Sequence, residues 1–311
     1  MEKIKVVFMG TPEFSVPVLE MLINETEVVG VVTQPDKEVG RKRILTESPV
    51  AKLARVHHIP TFKPAKLRKE YENILNLKPD LIVTCAYGQI VPKVILDYPN
   101  YGCINVHASL LPKYRGASPI TQAIMDGETT TGVTIMYMDE TLDTGNIIHA
   151  KEIEINDTDN LKTLSDKLSI LGRDLLKATL PKIIEGENFD IPQREEEATY
   201  VGMITREDER LDFNTEAKKV YDKIRALNPS PMANILINGE EWKVLESRKT
   251  TKTAGEVNTI TSVGKDFFAI SCKDYELEIT KIKPAGKKEM LVKDFFNGYD
   301  KEKLIGIKVG E

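Results

Sequence analysis

The sequence predicts an α/β chain in two parts: a largely parallel sheet with helices on both faces, followed by a smaller β-rich unit. Three observations predict this. Short β-branched runs alternate with helical segments through the first half, the pattern of βαβ units. Near residue 187 that periodicity lapses, and short strands separated by turns follow. With 311 residues the chain also exceeds one average domain, so two domains are the natural expectation.

The elements follow in order. Ile4–Met9 (IKVVFM) and Val28–Thr33 (VVGVVT) are nearly continuous apolar runs, as strands buried on both faces require. Between them Ser15 is expected to cap a helix that tolerates Pro17 in its first turn, with Val16, Leu19, Leu22 and Ile23 along one side. The alternation continues through helical Pro49–Val56, strands Leu81–Ala86 and Cys103–His107, helical Pro119–Met125, strand Val133–Met138 and a long helix over about Leu161–Glu185. Residues 1–186 thus form one predicted domain. Residues 187–205 contain Pro192 and the Glu195–Glu197 run, without sustained periodicity, and are expected to be a linker.

Residues 206–311 form the second predicted domain. It opens with helical Thr215–Leu227 and then presents Ala233–Ile237, Asn238-Gly239 and Glu241–Ser247. Asn-Gly accepts the positive φ of a type I′ turn, so this is a hairpin. Further strands are expected at Gly255–Ile260, Phe267–Ser271 and Leu277–Ile282. Five short strands suggest a small barrel, with an OB-type β-barrel as one candidate.

Composition bounds the function. Hydrophobic residues make 41% and charged residues 29% of the chain, the balance of a soluble globular protein. No run approaches the roughly 18 to 20 apolar residues of a membrane span. The start, MEKIKVVFMG, has no signal-peptide layout. Three scattered cysteines and four histidines without a cluster give neither a disulfide framework nor a metal site, and a cytoplasmic location is expected. Residues 206–311 hold 20 Lys+Arg against 19 Asp+Glu in a chain of net charge −5, which is compatible with a basic face on the second half.

The first strand-to-helix turn, Gly10-Thr11-Pro12-Glu13-Phe14, lacks G-x-G-x-x-G. Pro12 and Phe14 stand where a dinucleotide pyrophosphate needs close backbone approach, which argues against NAD. The informative segment is Cys103–Pro119, CINVHASLLPKYRGASP. Asn105 and His107, two residues apart at a strand end, share one face, and ligand sites in such sheets lie beyond the strands' carboxyl ends. Acyl transfer needs a base near the nucleophile and a neutral donor for the oxyanion. His107 and Asn105 supply both without a serine or cysteine, so the attacking group would belong to the substrate. Asp143, after strand Val133–Met138, is expected at the same sheet edge, where it could orient His107 and stabilise its protonated form. As an isolated Asp-Thr-Gly it would be an ordinary turn. Asp139 and Glu140 read as loop-surface charges, His57 and His58 as helix-end residues, and His149 as strand surface.

The segment Asn105-Val106-His107-Ala108-Ser109-Leu110-Leu111-Pro112, with Arg115-Gly116 and Leu142-Asp143-Thr144-Gly145, resembles the 10-formyltetrahydrofolate-dependent formyltransferases. Further segments narrow the resemblance to the members acting on methionyl-tRNA: Gly10–Phe14, Thr33–Asp36, Ser48–Val50, Ala86–Gly88, Gly132–Met136, Asn228-Pro229, Pro231-Met232 and Pro284–Lys288. The likeness therefore covers essentially the whole chain. It implies a Rossmann-like first domain joined to an OB barrel, with Asn105, His107 and Asp143 as the catalytic trio. It also implies that Ser109, Leu110, Leu111 and Pro112 line the folate site, and that Tyr87, Gly88, Gln89 and Ile90 lie along the pterin ring. Ala108 departs from the glycine common after the histidine, a change of one methyl group.

A short basic loop, Gly40-Arg41-Lys42-Arg43, would be a solvated surface loop in a generic protein. The resemblance instead implies that Arg41, Lys42 and Arg43 reach the acceptor end of tRNA, with Arg41 at the position of the key arginine. The implied partners are initiator methionyl-tRNA and the formyl-donating folate, with no metal, no NAD, no membrane and a monomeric chain. The alternatives are a formyltransferase acting on a glycinamide ribonucleotide or an amino sugar, a Rossmann oxidoreductase with an accessory barrel, and a non-catalytic tRNA-binding module, which would give no reason to assemble Asn105, His107 and Asp143.

Overall fold

In a computed structural model of the chain, residues 3–40, 42–187 and 190–310 are described. They form two compact units. The first comprises residues 1–119, 130–153 and 165–201, and the second residues 120–129, 154–164 and 202–311.

The first unit is built on β1 (Lys5–Gly10), β2 (Glu27–Val32), β5 (Thr61–Phe62), β6 (Leu81–Cys85), β7 (Cys103–His107), β9 (Thr130–Tyr137) and β10 (Ile147–Glu154). A small hairpin pairs β3 (Lys37–Val39) with β4 (Ile44–Thr46), and a two-residue strand, β8, covers Arg115–Gly116. The sheet order is β10-β9-β7-β6-β1-β2-β5. β1 pairs in parallel with both β2 and β6, and β6 with β7. Their continuous apolar runs are buried throughout: Val6–Met9 and Leu81–Val83 have no exposed surface, as a strand covered on both faces demands. Because β2 and β6 flank β1 on opposite sides, the strand order reverses there, and the carboxyl ends of β1 and β6 bound a crevice.

Helix α1 (Val16–Glu25) starts at Ser15 as expected, but the serine does not cap it by side chain. Its hydroxyl donates to the Cys85 carbonyl at 2.6 Å, tying the β1 turn to the end of β6. In α2 (Pro49–Val56) Ser48 does cap, accepting from the Ala51 amide at 3.0 Å. Two single-turn helices, α3 (Glu72–Leu75) and α4 (Lys93–Leu96), flank β6. α5 (Pro119–Met125) and the long α6 (Leu161–Glu185) match their expected bounds.

The sheet corrects one sequence argument. β9 runs antiparallel to β7, pairing Thr134 with His107 and Tyr137 with Ile104. Its carboxyl end therefore lies beside the start of β7, away from the edge that holds His107, and the loop bearing Asp143 must fold back to reach that histidine. Strand β10 leaves little mark in the sequence beyond His149, because most of its residues are exposed at the sheet edge and it lacks an apolar alternation.

After α6, residues 190–201 do not run free. Ile191 bridges Ile147, and β11 (Tyr200–Val201) pairs in parallel with β8. The Thr199 and Val201 carbonyls accept from the Arg115 and Ala117 amides at 2.8 and 3.0 Å.

The second unit packs α7 (Ala217–Ala226) on an antiparallel sheet of order β12-β13-β16-β15-β14, with β17 (Met290–Leu291) on β16. Its strands are β12 (Ala233–Ile237), β13 (Glu240–Thr253), β14 (Ile260–Val263), β15 (Phe268–Ser271) and β16 (Tyr275–Lys283), followed by the short α8 (Val292–Phe295). The Asn238-Gly239 turn has φ of 52° and 76°, both positive as type I′ requires. β14 sits later than expected: Asn258 has φ 62° and belongs to the turn entering the strand. The described pairings form an open path ending at β12 and β14 rather than a closed barrel. Phe213, Ile224, Val244, Phe268, Ile279 and Val292 form the middle of its core.

Candidate active site

Asn105 and His107 project from the same side of β7, as their spacing dictates. Thr84 is the register partner of Asn105 on β6, and its hydroxyl donates to Asn105 Oδ1 at 2.8 Å. That contact is shorter than the two others the hydroxyl makes, to the Ile104 carbonyl at 3.2 Å and Met138 Sδ at 3.1 Å. A hydroxyl has one proton, and assigning it to Oδ1 leaves the amide N–H groups of Asn105 unspent. Thr84 was missed in the sequence, although a polar residue inside LIVTC is a usable signal.

His107 is 6% exposed. Its Nε2 lies 2.9 Å from the Tyr114 carbonyl, an oxygen that can only accept, so Nε2 carries a proton and Nδ1 is the variable nitrogen. Nδ1 stands 3.7 Å from Asp143 Oδ2, within ion-pair reach but beyond hydrogen-bond length. The same Oδ2 accepts from the Gly116 amide at 2.8 Å. Two residues of β7 and one from the loop after β9 thus stand at the end of β7.

The loop that carries Asp143 is braced throughout. Asp139 and Glu140 are both exposed, as expected of loop-surface charges, and Asp139 also accepts from the Thr141 amide and hydroxyl and from the Thr144 hydroxyl. Asp143 itself has φ 55°, a left-handed conformation uncommon outside glycine. A Cβ on Gly145 would fall 1.9 Å from the Tyr137 carbonyl oxygen. The Asp-Thr-Gly triplet is therefore dictated by backbone approach as well as by the carboxylate.

The segments expected along the folate divide by exposure. Ser109 and Leu111 are buried, the Ser109 hydroxyl donating to the Lys113 carbonyl at 2.7 Å, whereas Leu110 and Pro112 keep partial exposure. Thr134 pins the stretch, donating to the Ser109 carbonyl and accepting from the Leu111 amide. At the β6 end Tyr87 is buried, and its carbonyl accepts from Thr11 and Gln34. The Gln89 side chain is spent on the Leu67 amide and the Pro64 carbonyl. Gly88 and Ile90 are exposed, Ile90 by 84%, and their backbone groups make no hydrogen bond within the described chain.

The basic segment is a hairpin rather than an open loop: Val39 pairs with Ile44 and Lys37 with Thr46. Gly40 (φ 73°) and Arg43 (φ 49°) supply its turn. Arg43 pairs with Glu38, both exposed, at 2.5 Å, and Lys42 is exposed. Arg41 lies outside the described residues. Val39, Ile44 and Leu45 are also exposed on this arm.

No helix among the described residues is long and apolar enough to cross a membrane. No group of three or more potential metal ligands occurs among them.

An α/β sheet that brings an Asn, a His and an Asp to one strand end holds the kinds of group that acyl transfer uses, a proton acceptor and a neutral oxyanion donor. The formyl transferase family matches residues 2–180 and the formyl transferase C-terminal domain residues 203–300. The chain belongs to the formyl transferase family. Among its relatives are methionyl-tRNA formyltransferases of Staphylococcus epidermidis, 48% identical over 97% of this chain and 98% of that protein, and of Staphylococcus aureus, 48% identical over 98% and 99%. Of similar solved structures, an N-formyltransferase from Helicobacter canadensis in complex with folinic acid and dTDP-3-aminofucose aligns with TM-score 0.65 and 22% identity, covering 90% of this chain and 99% of that one. Methionyl-tRNA formyltransferase from Clostridium thermocellum aligns with TM-score 0.56 and 16% identity, over 79% and 94%. HypX from Aquifex aeolicus with tetrahydrofolic acid aligns with TM-score 0.64 and 16% identity over 96% of this chain, which spans only 47% of HypX. At these identities the structures attest the fold.

Proposed function

We propose that this chain transfers the formyl group of 10-formyltetrahydrofolate to the α-amino group of initiator methionyl-tRNA. The products are N-formylmethionyl-tRNA and tetrahydrofolate, and the setting is translation initiation in the cytoplasm. The observation that carries the reading is the meeting of Asn105, His107 and Asp143 at the end of β7, in a chain 48% identical to methionyl-tRNA formyltransferases over nearly its full length.

The folate supplies an electrophilic formyl carbon bonded to a nitrogen that can leave. Asn105, its Oδ1 held by Thr84, donates an amide N–H to the formyl oxygen as that oxygen gains charge. His107 accepts the proton that the methionyl amine loses on forming its new bond to carbon, and delivers a proton to the departing nitrogen. Asp143, its carboxylate 3.7 Å from Nδ1, orients the ring. Neither serine nor cysteine is needed as a nucleophile, and Cys85 and Cys103 are in any case buried thiols pushed up to about 12 by desolvation. The exposed, unclaimed backbone of Gly88 and Ile90 suits the polar edge of a flat pterin, with Leu110 and Pro112 as apolar lining. We read the second unit as an OB-type fold that holds tRNA.

Two tests arise here. A tetrahydrofolate should raise the melting temperature by binding only the folded state, whereas NAD(H) and NADP(H) should leave it unchanged. Equal stabilisation by a nicotinamide nucleotide in differential scanning fluorimetry would restore the oxidoreductase reading. For the acceptor, trypsin should cut at exposed Lys42 and Arg43, and bound methionyl-tRNA should slow that cut where folate does not. Arg41→Ala should lower kcat/KM for methionyl-tRNA by about tenfold or more through lost phosphate contact, with folate protection intact. Normal formylation by this variant would leave the hairpin without a part in acceptor binding.

A further inference from the structure

The segment after α6 carries one inward-turned polar side chain. Residues 191–197 are exposed except for Gln193. Its Nε2 donates both protons, to the Asp143 carbonyl at 2.8 Å and the Gly145 carbonyl at 2.7 Å. Its Oε1 accepts from Arg115 Nε at 3.0 Å. Arg115 has no exposed surface, and its Nη1 is held by Glu195 and the Tyr200 hydroxyl. The guanidinium also lies 5.4 Å from the Tyr200 ring centroid. The next residue, Gly116, gives its amide to Asp143 Oδ2. Asp143 is thus gripped at both ends: its carboxylate by the Arg115-Gly116 backbone, its peptide by Gln193, which the Arg115 side chain fixes in turn.

We infer that Gln193 is a positioning residue for the transfer reaction, setting the place of the Asp143 carboxylate relative to His107. The physical case is one of numbers and conformation. Asp143 holds a left-handed φ of 55°, which a free loop would relax. Two carbonyls two residues apart, both bound by one planar amide, allow the loop a single arrangement. The carboxylate stands 3.7 Å from Nδ1, so a shift of about 1 Å decides between contact and separation, a displacement able to cost on the order of 100-fold in rate. Replacing the amide by an isosteric apolar chain removes both donors at once and leaves the Arg115 side chain without one acceptor.

The inference rests on the assignment of Asp143 to the chemistry, and a double-mutant cycle separates the two. Gln193→Met should lower kcat by about tenfold or more, with KM for methionyl-tRNA and for 10-formyltetrahydrofolate changed less than about threefold. Gln193→Glu, which keeps the acceptor but loses the donors, should not rescue. In an Asp143→Ala background Gln193→Met should cost nothing further, because the group it positions is gone. An equal loss in both backgrounds, or a normal kcat for Gln193→Met beside a crippled Asp143→Ala, overturns the role of Gln193. A near-normal Asp143→Ala would instead overturn the assignment of Asp143 on which it rests.

Discussion

Replacing His107 with Ala should lower the formylation rate by at least ~100-fold, the scale of a lost general base, in a protein that still folds. The imidazole is almost fully enclosed, 6% exposed. Its Nε2 proton is committed to the Tyr114 carbonyl, which leaves Nδ1, facing Asp143, as the nitrogen whose protonation can change. No second histidine adjoins the site: His57 and His58 end α2, and His149 on β10 binds the Thr179 hydroxyl. Loss of the ring empties a small volume and orphans one carbonyl, a cost of about 1–3 kcal/mol. A typical domain stability of roughly 5–15 kcal/mol absorbs it. Single-turnover rates and a thermal melt on the same preparation check both halves. A near-normal rate in a folded His107→Ala protein would remove His107 from the mechanism.

Gly145→Ala should be almost as damaging, although position 145 touches no substrate. The added methyl would lie 1.9 Å from the Tyr137 carbonyl oxygen and 2.8 Å from its carbon. Both are backbone atoms of β9, whose Tyr137 amide is also bonded to the Asn146 carbonyl at 2.9 Å. The strand cannot retreat without losing its pairing to β7, so the loop must move. Moving it pulls the Gly145 and Asp143 carbonyls off Gln193 and the carboxylate off the Gly116 amide. A displacement of about 1 Å predicts a fall in kcat on the order of 100-fold, with a melting temperature lower by several degrees. Gly202→Ala, where the methyl would meet open space, is the control and should change neither. Wild-type kcat for Gly145→Ala would mean that the loop's placement does not matter to the rate.

Much of the first unit was legible because its central strands announce themselves. Val6–Met9 and Leu81–Val83 are apolar on consecutive positions, and their shortness and β-branched residues mark them as strands covered on both faces. Pro49–Val56, Pro119–Met125 and Leu161–Glu185 begin and end where the sequence places them. The pairing of His107 with Asn105 followed from strand periodicity alone. Asp143 was reached by a faulty route, since an antiparallel β9 is indistinguishable from a parallel one in local pattern and the direction decides which edge its end reaches. Gln193 was invisible for another reason: it acts through three hydrogen bonds to groups distant in sequence, and such bonds leave no period to read. Thr84 leaves only a faint trace, one polar residue inside an apolar strand. Residues 190–201 read as a linker because Pro192 and three glutamates are what a solvated connection contains. Their backbone pairs with β8 and Ile147 through amides and carbonyls that every residue type possesses.

The central claim is that the amine attacked is the one carried by methionyl-tRNA. The protein, incubated with 10-formyltetrahydrofolate and an equal supply of methionyl-tRNA, free methionine and an amino-sugar nucleotide, should leave its formyl group on the first. After hydrolysis of the aminoacyl ester, mass spectrometry should find N-formylmethionine released from tRNA, with the free amino acid and the sugar nucleotide unmodified. Formyl transfer to the sugar nucleotide with methionyl-tRNA untouched would contradict the account.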